Sequence, residues 1–203
     1  MRKNEIIQED VLEANRLVHA NLAESGEYNK SPHFLPENMQ RVSKILEDLT
    51  DSIKSQSDTK LLDMGCGTGF ILHLASPMFD ELHGVDITDE MMDKVDLSLG
   101  NIELTNSLAE STPFEDNYFD MVTAYSFLDH LVDYSKVFEE AYRVLRPSGI
   151  FYSDLNPNRE FNMMLEKFSD NFSGNLPEVI NREIIGGLKN GEYYSEKYGI
   201  DEE

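Results

Sequence analysis

The sequence holds one cysteine, Cys66, in 203 residues, which excludes an intrachain disulfide and a thiolate metal cluster. Basic residues are scarce: 17 Lys and Arg stand against 39 Asp and Glu, a formal charge of −22. No Lys/Arg cluster is present that would neutralise several neighbouring phosphates, so nucleic acid is not an expected partner. The acidity reads as a solvated, self-repelling surface. No apolar run approaches the roughly 18 residues of a membrane-spanning helix, and the N-terminal MRKNEIIQED lacks the apolar stretch of a signal peptide. A soluble, cytoplasmic protein without a membrane span is expected. No two histidines have the spacing of a metal site, so no metal is expected either.

What is present is core-forming: 40% of the residues are apolar, in a chain long enough for one main domain. Ile7, Val11, Ala14, Val18 and Leu22 share one face of an amphipathic helix that ends near Ser25-Gly26, and YNKSPHFLPEN follows as a loop. Pro36 opens a second helix with Met39, Val42, Leu46, Leu49 and Ile53 inward. From Lys60 onward, short apolar strands alternate with helical segments. The strands are Leu61 to Met64, ELHGVDI, a weaker NIELTN, YFDMVTAY and GIFYSDL. Helices start at Phe70, after Thr88, and at Asp133 or Ser135, the last stopped by RPSG. Strands joined through helices need crossover connections and hence a parallel sheet covered on both faces, so the class is α/β.

The stretch LLDMGCGTGF puts Asp63 at the carboxyl end of the first strand, then Gly65, Gly67 and Gly69 in a turn that no Cβ obstructs. Backbone N–H groups at a helix start are expected to face a ligand there. In the dinucleotide fingerprint the third glycine falls three positions after the second. Here Gly69 is two after Gly67 and Phe70 fills the dinucleotide position, so nicotinamide and flavin dinucleotides are disfavoured. Asp86 closes the second strand 17 residues past Gly69, where the open-sheet rule puts a cofactor's ribose. Its carboxylate has acceptors for two adjacent hydroxyls, and Thr88 is left to cap the helix that follows.

These residues, with SLAESTPFEDNYFDMVTAYSFLDHL and VFEEAYRVLRPSG after them, resemble the class I S-adenosylmethionine-dependent methyltransferases, in the branch that includes ubiquinone and menaquinone pathway enzymes. The resemblance runs from about Lys60 to Leu155. It implies a Rossmann-like, doubly wound, mostly parallel sheet. It also implies that Asp63 and the backbone of Gly65, Cys66, Gly67 and Gly69 hold the methionyl end of S-adenosyl-L-methionine, that Asp86 binds both ribose hydroxyls, and that Ile87 packs against the adenine. Family members commonly carry an acid before Ala in the segment matched by Leu108-Ala109; with Leu108 there, the adenine contact is lost or passes to Ser107 or to backbone. Tyr125 is implied beside the methionyl moiety, its ring towards the sulfonium, a contact worth about 0.5 to 2 kcal/mol.

Methyl transfer from a sulfonium is an in-line displacement on an activated electrophile, so placing the acceptor is the main task; a base is needed only where the acceptor loses a proton. His130, in SFLDHL, is the catalytic candidate, because in the class the loop after the fourth strand faces the transferable methyl and His titrates near neutrality. His19 is read as structural. Tyr28, His33 and Phe34 lie on the segment that in similar enzymes folds over the cofactor, and Asn156, with Phe161 and Met164, stands at the other wall. Together they are the expected site for a small-molecule methyl acceptor.

Three regions are expected: an N-terminal helical cap over 1–57, the cofactor-binding core over 58–155, and a helical lid or incomplete C-terminal region over 156–203. Two further strands usual in the class are not evident after Leu155, and an uncovered sheet edge is expected to favour a homo-oligomer. The alternative reading is a non-catalytic remnant that binds the cofactor or a protein partner, with a dinucleotide oxidoreductase third.

Overall fold

The structure, a computed structural model, describes residues 3–53, 58–131 and 133–156. The expected lid with Phe161 and Met164, and the expected lack of further strands, lie outside the described residues. Two helices come first, α1 (Lys3–Ser25) and α2 (Pro36–Thr50), joined through the short 3-10 turns Tyr28–Lys30 and Pro32–Phe34. Five strands follow: β1 (Lys60–Met64), β2 (Glu81–Asp86), β3 (Ile102–Asn106), β4 (Phe119–Tyr125) and β5 (Leu145–Asp154). Between them lie α3 (Phe70–Ala75), α4 (Asp89–Met92) and α5 (Ser135–Val144).

The strands pair in the order β3-β2-β1-β4-β5, every pair parallel. The chain winds outward from β1 in one direction, then returns to start β4 on the other side. In an open parallel sheet that reversal leaves a crevice above the carboxyl ends of the two central strands. Successive residues of a strand point to opposite faces. Thus Leu61 packs with Val42, Leu46, Ile71 and Leu72 under α2 and α3, while Leu62 packs with Phe119, Val122, Val137 and Ala141 under α5. Covering both faces is what allows β1 and β4 to be buried at every position.

Two buried carboxylates tie the family-like segments together. Asp120, 2% exposed, accepts from both the Lys60 backbone N–H at 2.8 Å and the Arg146 guanidinium at 2.8 and 2.7 Å. Glu140 accepts from the Thr112 N–H at 2.7 Å and hydroxyl at 2.6 Å, and pairs with Arg143, fixing the loop between β3 and β4 on α5.

Some expectations shift. RPSG does not separate α5 from β5: the strand begins at Leu145, straight after the helix, and the pairing jumps from Phe119–Leu145 to Met121–Ile150 as RPSG bulges out. Arg146 within the bulge is the residue that binds Asp120. Met39 is exposed rather than inward, because α2 turns Val42, Leu46 and Thr50 to the core and leaves Met39 at its rim. No described helix is long and apolar enough to cross a membrane.

Candidate functional site

Gly65 and Gly67 both adopt positive φ, +71° and +51°, immediately after β1. A Cβ on Gly65 would lie 2.2 Å from the Phe127 ring, and one on Gly67 would lie 3.2 Å from Met91 Cε and 3.3 Å from Tyr28 Oη. The turn is bare so that these side chains can close on it.

Four of its N–H groups are engaged within the fold, where free donors are expected from the sequence. Those of Gly65 and Cys66 donate to the Val85 carbonyl at 2.9 and 3.0 Å, that of Gly67 to Asp86 Oδ2 at 2.9 Å, and that of Gly69 to the Cys66 carbonyl at 2.9 Å. The turn is sutured to the end of β2 by three of these N–H groups. Asp86 is the suture: its second oxygen accepts from the Thr88 N–H at 2.9 Å. Thr88 itself makes no side-chain cap to α4.

A cleft enclosing about 880 Å³, part of it continuous with solvent, opens above this turn. Its floor is Gly65, Gly67, Val85 and Asp86; one side is Ile87, Thr88 and Met91 with Ser107, Leu108, Ala109 and Glu110. The far side is Ser126, Phe127, His130 and Leu131 from the end of β4, and the roof is Leu12, Asn15 and His19 of α1 with Tyr28 and His33. Ser126 holds a positive φ of 50° with its N–H on the Asp154 carbonyl at 2.8 Å, the kind of strained position that sits at ligand clamps. Among the described residues, two carboxylates, Asp86 and Glu110, lie on the wall, and no Lys or Arg does.

The structure brings Gly65, Gly67, Asp86, Ile87, Leu108, Ala109, Tyr28, His33 and His130 together on this one surface. Six residues proposed from sequence are elsewhere. Asp63 is 2% exposed beneath the turn, its carboxylate accepting from the Thr123 hydroxyl at 2.6 Å. The Cys66 side chain is packed in the core, where Sγ would lie 2.8 Å from a Cβ on Gly84. Gly69 starts α3 and faces Val95 and His73. Tyr125 stacks on Phe70 at 5.0 Å and accepts from Asn38 Nδ2 at 2.8 Å, so its ring is a packing group. Phe34 meets Phe70 edge-on at 5.6 Å in the same layer. Asn156 does not form a wall: its Oδ1 accepts from the N–H groups of Phe127 at 3.0 Å and Leu128 at 2.8 Å, so it shapes the loop that does.

Sequence reasoning missed the α1 contribution. Leu12, Asn15 and His19, at spacings of three and four, form a second stripe beside the apolar one, and two polar residues in such a stripe are the signal that was available. It also missed Glu110, the acid that reaches the cleft two positions past Leu108.

Burial raises the Asp63 carboxyl to about 7, opposed by the Thr123 hydrogen bond and reinforced by the charge of Asp86. Burial lowers both His33 and His130, with Asp129 opposing in each case. It raises Tyr28 well above the usual phenol range, helped by Asp86 and Asp63. The His33 and His130 imidazoles and the Tyr28 phenol are therefore held neutral near pH 7. His33 Nδ1 is buried without a hydrogen-bond partner.

The parallel α/β sheet is like that of class I S-adenosylmethionine-dependent methyltransferases. Residues 62–153, just under half of the chain, match the methyltransferase domain family. An uncharacterised methyltransferase of Bacillus subtilis (strain 168), YcgJ, is 32% identical over 134 residues, covering 61% of this chain and 53% of the relative. A demethylmenaquinone methyltransferase of Oceanobacillus iheyensis is 34% identical over 118 residues, covering 54% and 50%. The chain thus spans about half the length of the curated relatives it matches. Among solved structures, a Galdieria sulphuraria protein provisionally described as a sarcosine dimethylglycine methyltransferase shares the fold with a TM-score of 0.52 and 22% identity, over 64% of this chain and 54% of that one.

Proposed function

We propose that the protein binds S-adenosyl-L-methionine in this cleft and transfers its methyl group to a small molecule. One observation carries the choice of cofactor: the N–H groups of Gly65, Cys66 and Gly67 are engaged by the end of β2, and among the described residues the cleft wall has two carboxylates and no basic side chain. A pyrophosphate cofactor needs free N–H donors or cations. A nucleoside carrying a positive charge needs acceptors and acids, which are what is present.

The residues fit that ligand. Asp86 presents a carboxylate at the carboxyl end of β2 for a pair of ribose hydroxyls, and Ile87, Met91, Leu108 and Ala109 supply an apolar bed for a purine ring. When bound, the cofactor supplies a methyl group on a positively charged sulfur. Tyr28, His33 and His130 stay neutral beside that charge, so no like-charge repulsion opposes it. Leu12, Asn15 and His19 of α1, with Tyr28 and His33, line the cleft beside the other walls, which favours a small acceptor over a polymer. A buried single cysteine suits a reducing cytoplasm.

Calorimetric titration with S-adenosylhomocysteine, and separately with NADH, tests the reading. Binding of the first and not the second is expected; failure of S-adenosylhomocysteine to bind overturns it.

A further inference from the structure

We propose that His19, on α1, is the catalytic proton acceptor for an acceptor molecule that presents a phenolic or enolic hydroxyl; the assignment rests on the methyl-transfer reading. His19 Nδ1 lies 2.8 Å from the backbone carbonyl oxygen of Asn15. A carbonyl only accepts, so the neutral ring carries its proton on Nδ1 and its lone pair on Nε2. Nε2 makes no hydrogen bond among the described residues, and the side chain lines the cleft. A ring oriented on one nitrogen with the other left as a base is the arrangement proton abstraction requires.

Asn15 holds this ring in place from two sides. Its carbonyl fixes the tautomer, and its side-chain Nδ2 donates to the His130 carbonyl at 2.8 Å, pinning α1 onto the loop after β4. Among the described residues the His130 ring has no comparable partner: its Nε2 is 4.0 Å from the Asp129 carboxylate, beyond hydrogen-bond range. The two rings meet edge to face at 4.8 Å, and Tyr28 stands 6.4 Å from His19. The charged groups around the pair are Asp129 behind His130, Asp86 and Glu110 across the cleft, and Arg16 on α1, itself held by Glu13. His33 Nδ1, buried and unpaired on the same roof, is a second polar anchor, while Leu12, Phe127 and Leu131 make the surroundings apolar. One hydroxyl on an apolar or aromatic body matches that set; a highly charged acceptor does not.

In the step, the acceptor's O–H proton passes to His19 Nε2 as the oxygen lone pair bonds the methyl carbon. The carbon–sulfur pair stays on sulfur, and the imidazolium later returns its proton to solvent.

The test uses the full chain with S-adenosylhomocysteine bound and para-nitrophenol as the probe. Nitrogen-15 spectra are expected to show His19 protonated on Nδ1 and Nε2 shifting when the phenol is added. The bound phenol should ionise at lower pH than in water; His19→Asn should abolish that effect, and His130→Asn should keep it. A His19 protonated on Nε2, an unperturbed Nε2, or a phenol that ionises alike in wild type and His19→Asn overturns the assignment. Because each comparison is made with S-adenosylhomocysteine bound, such a result leaves the methyl-transfer reading standing; loss of S-adenosylhomocysteine binding by the wild type overturns that reading instead.

Discussion

Asp86 and Asp63 flank the same turn in opposite surroundings, and the difference decides what each does. Asp86 accepts one backbone N–H on each oxygen, which leaves a further lone pair on each for a ligand hydroxyl on the cleft side. Asp86→Ala is expected to weaken S-adenosylhomocysteine binding at least tenfold, about 1.4 kcal/mol, by calorimetry; an unchanged affinity would put the ribose elsewhere. Asp63 has one hydrogen-bond donor and no cation, and its folded pKa, about 7, stands above its ordinary value of 3.8. A raised carboxyl contributes stability that is whole below 3.8 and lost as the pH rises through 7, because the folded chain keeps a proton that the unfolded chain releases. Asp63→Asn should therefore flatten the dependence of urea midpoint on pH across that window, an effect of a few kcal/mol at roughly 1.4 kcal/mol per pKa unit. Equal slopes for the two proteins would show that Asp63 ionises normally in the fold.

At the level of elements, the loop after β4 is shaped by a residue at the end of the neighbouring strand. Asn156, just past β5, takes both the Phe127 and Leu128 N–H groups on Oδ1 and anchors its own amide on the Ser153 hydroxyl at 2.6 Å. Asn156→Ala would leave those two half-buried donors without the acceptor, costing about 1 to 3 kcal/mol, and would free Phe127 to leave Gly65. The expected result is a lower thermal midpoint together with weaker S-adenosylhomocysteine binding. Lowered stability with unchanged affinity would confine Asn156 to a structural role. The strands were legible because each is an apolar run bounded by Gly, Asp or Asn, and Asp86 was legible because the end of β2 is a fixed place in an open sheet. Tyr125 was misplaced because a motif places a residue at a strand end without saying which way it points; Phe70 and Asn38 decide that. The engaged N–H groups of the glycine turn depend on Val85 and Asp86, some twenty residues on, and no local pattern encodes them. His19 is read as structural from sequence because α1 precedes the segment that carries the motifs.

The whole molecule carries a formal charge of −22, and among the described residues the cleft is lined by Asp86 and Glu110 without a Lys or Arg. Such a field attracts a cation over distances comparable to the Debye length, about 10 Å at 0.1 M salt, and is screened beyond it. S-adenosylmethionine carries a net positive charge from its sulfonium, whereas S-adenosylhomocysteine, which lacks it, is net neutral. The two ligands share every hydroxyl, the adenine and the amino acid, so a difference in how salt affects their association isolates the charge. Stopped-flow association should slow for S-adenosylmethionine by about tenfold between low salt and 0.5 M salt, the scale of electrostatic steering, with little change for S-adenosylhomocysteine. Thermal stability should rise over the same range, since screening relieves the self-repulsion of the acidic surface. A rising midpoint with equal salt dependence for the two ligands would mean that the acidity acts on the fold and its solubility alone, and that Asp86 and Glu110 select the cofactor only at contact distance.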